Sequence, residues 1–126
     1  PISLNRLDWE KAWENKELVR YYQGLIALRK QLSGLCDKSK DSYKRITDMW
    51  KEKDVVGFTV LNDKKARWSQ VKIIYNARKS NYKVKFLNDG WEILSDADDS
   101  WCWEKGICAD RQIEVAPQSV LILGRK

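Results

Sequence analysis

The chain has 126 residues, 24 Lys plus Arg against 18 Asp plus Glu, and a net charge of +6. That length suits one domain with a real core but is too short for an eight-stranded α/β barrel. There is no His and no C-x-x-C pair among the three cysteines, which argues against zinc and removes any Ser-His or Cys-His catalytic pair.

Pro1 to Glu14 reads as a lead-in, with short helical promise after Asp8, a good N-cap. The main helix is expected to start at Asn15, with Glu17 in its first turn where the dipole favours an acid. It is expected to end near Ser33, with Gly34 able to take a left-handed C-terminal conformation. At about 100° per residue, Leu18, Val19, Tyr21, Tyr22, Leu25, Ile26, Leu28 and Leu32 share one side. The arc is wide enough to imply two packing partners. Arg29 falls inside it and is expected to snorkel or pair with an acid.

Cys36 to Asp54 is polar, and Ile46, Met49 and Trp50 suggest one short helical turn against the core. From Val55 the period becomes alternating. Val55–Leu61, Val71–Ala77, Tyr82–Phe86, Trp91–Asp96, Gln112–Val115 and Val120–Gly124 read as strands. Asn62-Asp63, Lys79-Ser80-Asn81 and Asn88-Asp89-Gly90 supply the turns. Strands so close together, with no helix between them, predict an antiparallel sheet or sandwich. Pro117 sits just before the last strand, where a missing N–H is tolerated.

The densest cations are Lys72, Arg78, Lys79, Lys83 and Lys85. On an alternating strand Lys83 and Lys85 point away from Tyr82, Val84 and Phe86, as a solvated face would. No nucleic-acid motif and no membrane-spanning run appears, so neither partner is expected. Trp101 and Trp103 lie in DDSWCWEKGIC, where alternation would place both rings on one face as a sugar-stacking platform beside Asp96, Asp98, Asp99 and Glu104. The alternative is a loop folded over the sheet with both rings sealing it. The acids lack the Gly and distal Glu of a calcium loop, so no metal and no cofactor is expected. Cys102 and Cys108 could close a small disulfide in an oxidising compartment or, like Cys36, stay as free thiols.

Several stretches together resemble a known family. Asn5 to Trp9 reads NRLDW, and Asn15 to Leu32 reads NKELVRYYQGLIALRKQL. They are followed by VVGFTVLNDKKARWSQVKIIYNA, NDGWEILSDA and IEVAPQSVLILGRK. In this order they resemble the end of type I pullulanases and amylopullulanases of glycoside hydrolase family 13. The resemblance implies a mainly β fold: an antiparallel, Greek-key β-sandwich like amylase domain C, preceded by one long α-helix. Residues 1–34 would be a remnant of the catalytic barrel, the loop after its eighth strand and its last helix. Residues 35–126 would be the C-terminal sandwich. Asn5 and Arg6 would then lie beside the parent's substrate cleft.

The family's catalytic Asp, Glu and second Asp lie upstream of Pro1, and hydrolysis needs two carboxylates across the scissile bond. The resemblance therefore implies a non-catalytic piece that stabilises the barrel of an α-glucan-debranching enzyme. The alternative it leaves open is a carbohydrate-binding module for α-glucans using Trp101 and Trp103. With the barrel absent, the helix's spare apolar stripe is expected to be exposed or buried in a homodimer. Nothing in these residues indicates a cellular compartment.

Overall fold

A computed structural model describes residues 13–84 and 87–126. Among the described residues, the helix α1 (Lys16–Arg29) precedes eight strands: β1 (Ile46–Glu52), β2 (Val55–Leu61), β3 (Gln70–Asn76), β4 (Tyr82–Lys83), β5 (Trp91–Ser95), β6 (Ile107–Cys108), β7 (Glu114–Val115) and β8 (Ser119–Arg125). Six strands form an antiparallel sheet in the order β1-β2-β3-β8-β5-β6, and β4 and β7 pair as a second, two-stranded sheet. This is the expected antiparallel sandwich preceded by a helix. β2 and β3 pair over seven positions, and β3 and β8 over seven more, so the long alternating apolar segments make the centre of the sheet.

The pleat sends alternate residues into two cores. On one face Val55, Ile74, Leu121 and Leu123 meet Tyr82, Val84, Leu87 and Val115 from the small sheet and its flanks. On the other face Val60, Trp68, Val71 and Leu94 meet Leu28 and Leu32 from the end of α1, with Trp103. The large sheet is thus the middle layer between α1 and the β4–β7 pair. No helix among the described residues is long and apolar enough to cross a membrane.

Three expectations change. α1 stops at Arg29, because Gln31 and Leu32 bond back to Leu28 and Arg29 in tight three-residue turns and a 3₁₀ turn follows at Ser33–Cys36. That tightening aims Leu32 into the core, where it is fully buried. Gly34 serves close approach rather than a left-handed cap: its N–H donates to Asn62 Oδ1 at 2.9 Å in the β2–β3 turn. Second, Ile46 to Trp50 is no helical turn but the edge strand β1, antiparallel to β2. Its polar look follows from its edge position, which leaves most of its residues exposed. Third, Trp101 to Glu104 does not alternate, because Cys102–Glu104 is a 3₁₀ turn.

Candidate functional site

The wide apolar arc of α1 is divided between two fates. Half of it lies on its own domain. Tyr21 and Leu25 are half-buried, Gly24 and Leu28 are buried, and Leu32 follows them inward. A Cβ on Gly24 would stand 2.9 Å from the Ser100 carbonyl oxygen and collide with the Ser100 hydroxyl, so only glycine admits this approach. Ser100 Oγ donates to the Tyr21 carbonyl at 2.6 Å, Tyr21 Oη donates to the Asp96 carbonyl at 2.6 Å, and Trp101 Nε1 donates to the Arg20 carbonyl at 3.0 Å. Three hydrogen bonds thus clamp the helix to the 96–101 loop.

The loop is itself braced by its acids. Asp96 Oδ1 accepts the N–H groups of Asp98 (2.9 Å) and Asp99 (2.8 Å), and Asp99 Oδ1 accepts that of Trp101 (2.8 Å). Lys105 Nζ meets Asp99 Oδ2 at 2.6 Å, and this bond, ahead of the Trp101 N–H, holds the Asp99 carboxyl below its ordinary range. These carboxylates organise their own backbone. Among the described residues no group of three or more His, Cys, Asp or Glu is placed to hold a metal ion.

The other half of the arc faces away from the domain. Leu18, Tyr22 and Ile26 are 53%, 58% and 58% exposed, with Val19 beside them. Arg29, expected to pair or snorkel within this arc, is exposed too. The stripe continues into a groove of about 660 Å³ between α1 and the sheet, floored by Tyr75, Val120 and Ile122. The Ser95 hydroxyl borders this groove, fully buried and without a protein partner. An apolar stripe and groove of this kind are features of interaction surfaces rather than of free ones.

Trp101 and Trp103 stack on each other, with centroids 5.7 Å apart and 25° between planes. Trp103 is 7% exposed, and Trp101 is half-buried with the Arg20 guanidinium 5.7 Å from its ring centre. Cys102, between them, is buried, and its Sγ lies 3.3 Å from the Asp99 carbonyl. Burial, with Asp96 and Asp99 nearby, pushes its pKa up to about 11. Cys108 is exposed on β6, so Cys102 and Cys108 are not bridged, and all three cysteines are free. Asn5 and Arg6 lie outside the described residues. Sequence reading missed Ser95, Ser100 and Tyr75 as parts of this region; a glycine within the buried half of an apolar arc was the one signal for a close contact at Ser100.

No family model matches the chain, and no curated protein matches it. Solved structures do. The pullulanase of Anoxybacillus sp. LM18-11 complexed with maltotetraose superposes over 100% of this chain, with a TM-score of 0.76 and 17% identity. The pullulanase of Bacillus acidopullulyticus covers 98% at 0.74 and 21%. The type I pullulanase of Bacillus subtilis str. 168 complexed with maltose covers 98% at 0.72 and 20%. The chain has the fold of one portion of the pullulanases. It spans 18%, 15% and 17% of those three chains.

Proposed function

We propose that this chain is the C-terminal part of a debranching glycoside hydrolase, non-catalytic in itself, which stabilises the catalytic barrel through the free face of α1. One observation carries the reading. The whole chain matches a minor portion of each pullulanase, while Leu18, Tyr22 and Ile26 remain uncovered. A helix apolar on two adjacent faces calls for two partners, and the remainder of such an enzyme would be the second. On this reading residues 1–34 belong to the barrel's edge and 35–126 to the sandwich, with Asn5 and Arg6 on the loop nearest the substrate. The parent would act on α-1,6 links of pullulan or branched starch.

The acids near the tryptophans support a non-catalytic role, since Asp96 and Asp99 accept hydrogen bonds from their own loop. The packing of Trp101 and Trp103 on each other and under Arg20 favours a sealing role over a glycan platform.

The test is to add the purified chain to the upstream portion of the parent enzyme, expressed separately. Complex formation on gel filtration is expected, together with a rise in the upstream portion's Tm. Both effects should vanish in the Leu18→Glu, Tyr22→Glu, Ile26→Glu triple variant, whose own Tm should stay near wild type because these side chains are exposed. Equal complex formation by the triple variant would overturn the docking face. A concentration-dependent dimer of the chain alone, lost in that variant, would put a second copy there instead. Pullulan hydrolysis by the pure chain would refute the non-catalytic role.

A further inference from the structure

A second cleft lies on the opposite face of the large sheet from α1, and so apart from the docking face. It has a volume of about 460 Å³ and is lined by Asp48, Trp50, Lys51, Glu52, Lys72, Tyr82 and Asn88. Its aromatic wall is built deliberately. Trp50 pairs with Gly57 across β1 and β2, and a Cβ on Gly57 would stand 2.6 Å from Trp50 Nε1. Glycine therefore lets the indole lie against the sheet, where it meets the Tyr82 ring at 5.8 Å. The pairing of β1 with β2 is irregular between Thr47 and Trp50, and Asp48 in that interval takes a left-handed φ of 50°. A strained non-glycine residue at a bulge is a common device for re-aiming a side chain at a site.

The polar groups are mixed in sign. Lys72 comes from the central strand β3, half-buried, with its ammonium 4.9 Å from the centre of the Trp91 ring. Burial pulls its pKa down, and Asp48 works against that shift. Thr59, the residue paired with Lys72 across β2 and β3, has a buried hydroxyl with no protein partner. Trp91 Nε1 is likewise buried and unpartnered.

The ligand class follows by elimination. A free anion would face Asp48 and Glu52. A free cation would face Lys51 and Lys72. A neutral molecule bearing several hydroxyls and an apolar face meets acceptors at Asp48 and Glu52, donors at Lys51 and Lys72, both at Asn88, and an aromatic wall at Trp50. The volume falls within the ordinary range of small-molecule sites. We propose that this cleft binds a neutral hexopyranose unit, held by Asp48 and Lys72 against Trp50.

The choice of an α-glucan as probe rests on the function proposed above, but the binding surface does not. Calorimetric titration of the pure chain with maltotriose is expected to give saturable, millimolar-range binding. Asp48→Gly suits the left-handed backbone while removing the carboxylate, and Lys72→Met keeps the stem while removing the ammonium. Each should weaken binding about tenfold, as loss of one hydrogen bond to a charged group would. Trp101→Ala should leave it unchanged. Absence of binding would overturn the proposal. So would binding lost in Trp101→Ala but kept in Asp48→Gly, or saturable binding of sulfate that depends on Lys72 with none of maltotriose. Failure of the docking experiment with maltotriose binding retained would count against the proposed function and leave this cleft standing.

Discussion

Gly24 shows how a single absent atom sets a helix in place. In an isolated helix, Gly→Ala should stabilise by about 1 kcal/mol through backbone entropy and propensity. Here the new methyl would strike Ser100, whose carbonyl oxygen is backbone and cannot turn aside. Overpacking of that kind costs about 1–3 kcal/mol, so the clash outweighs the propensity gain. Gly24→Ala is expected to lower the Tm, and Ser100→Ala in the same chain should recover only part of the loss. A Tm at or above wild type for Gly24→Ala would show that α1 does not sit this close. Cys102 makes a second residue-scale case. Its folded pKa of about 11 stands above the ordinary thiol value of 9.0. The fold therefore favours the neutral thiol. That contribution is complete below pH 9 and is lost as pH rises from 9 to 11. At pH 8 two thiols, the exposed Cys36 and Cys108, should alkylate readily, and the third only after unfolding. Cys102→Ala should flatten the alkaline limb of the stability curve. Detection of fewer than three thiols in denaturant would instead reveal a bridge.

At the scale of elements, the later part of the connector between α1 and β1 is gathered by one guanidinium. Arg45 donates from Nε to Asp37 Oδ2 at 2.7 Å, from one terminal nitrogen to the Leu61 carbonyl at 3.0 Å, and from the other to Asp63 Oδ1 at 2.9 Å. A polar segment with little apolar content is thereby tied to the end of β2. The Ser39 backbone N–H, with the Ser39 side chain and Arg45, holds the Asp37 carboxyl down to about 2 from an ordinary 3.8. A depressed carboxyl stabilises the fold above its unfolded pKa. The contribution is therefore present above about pH 4 and is lost as pH falls toward 2. Asp37→Asn should shift the acid-unfolding midpoint upward less than Arg45→Met does, because Arg45 also serves Asp63 and Leu61; acid titrations followed by circular dichroism would measure both. What was legible in the sequence divides along the same line. β2, β3, β5 and β8 were readable because cores on both faces of the sheet demand short, mostly apolar, β-branched runs bounded by turn residues. β1 was not, because an edge strand with one open side needs no such pattern. The 96–104 loop was not either: its shape comes from carboxylates accepting nearby N–H groups and from a 3₁₀ turn, neither of which leaves a periodic trace. The apolar arc of α1 announced more apolar surface than one contact needs, but only the folded chain shows which residues its own domain covers and which stay exposed.

For the whole molecule, the question is whether the sandwich can stand without the helix that precedes it. The proposed division places 1–34 with a barrel and 35–126 in a domain of its own. The packing argues that the second cannot be fully independent of the first. Leu28 and Leu32 are 1% and 0% exposed, and they sit among Val60, Trp68, Val71, Leu94 and Trp103 in one of the two cores. Full burial of each leucine contributes about 1.5–3 kcal/mol, so their removal forfeits about 3–6 kcal/mol. That is a large share of the roughly 5–15 kcal/mol that stabilises a domain of this size. The clamp from Ser100, Trp101 and Tyr21 would go as well, leaving the 96–101 loop without its partner. The middle sheet serves both cores, so damage on one face is felt through Val60 and Val71 on strands that also carry Val55 and Ile74, which line the other. A chain of residues 35–126 is accordingly expected to bind a hydrophobic dye and to unfold at much lower urea than the full chain. Its near-UV circular dichroism should weaken as Trp68 and Trp103 lose their setting. A cooperative transition at nearly the same urea midpoint would show that α1 is an appendage, and would move the structural boundary to residue 35. The expected outcome places that boundary within the helix's own cross-section: one face packed in the sandwich, the next exposed.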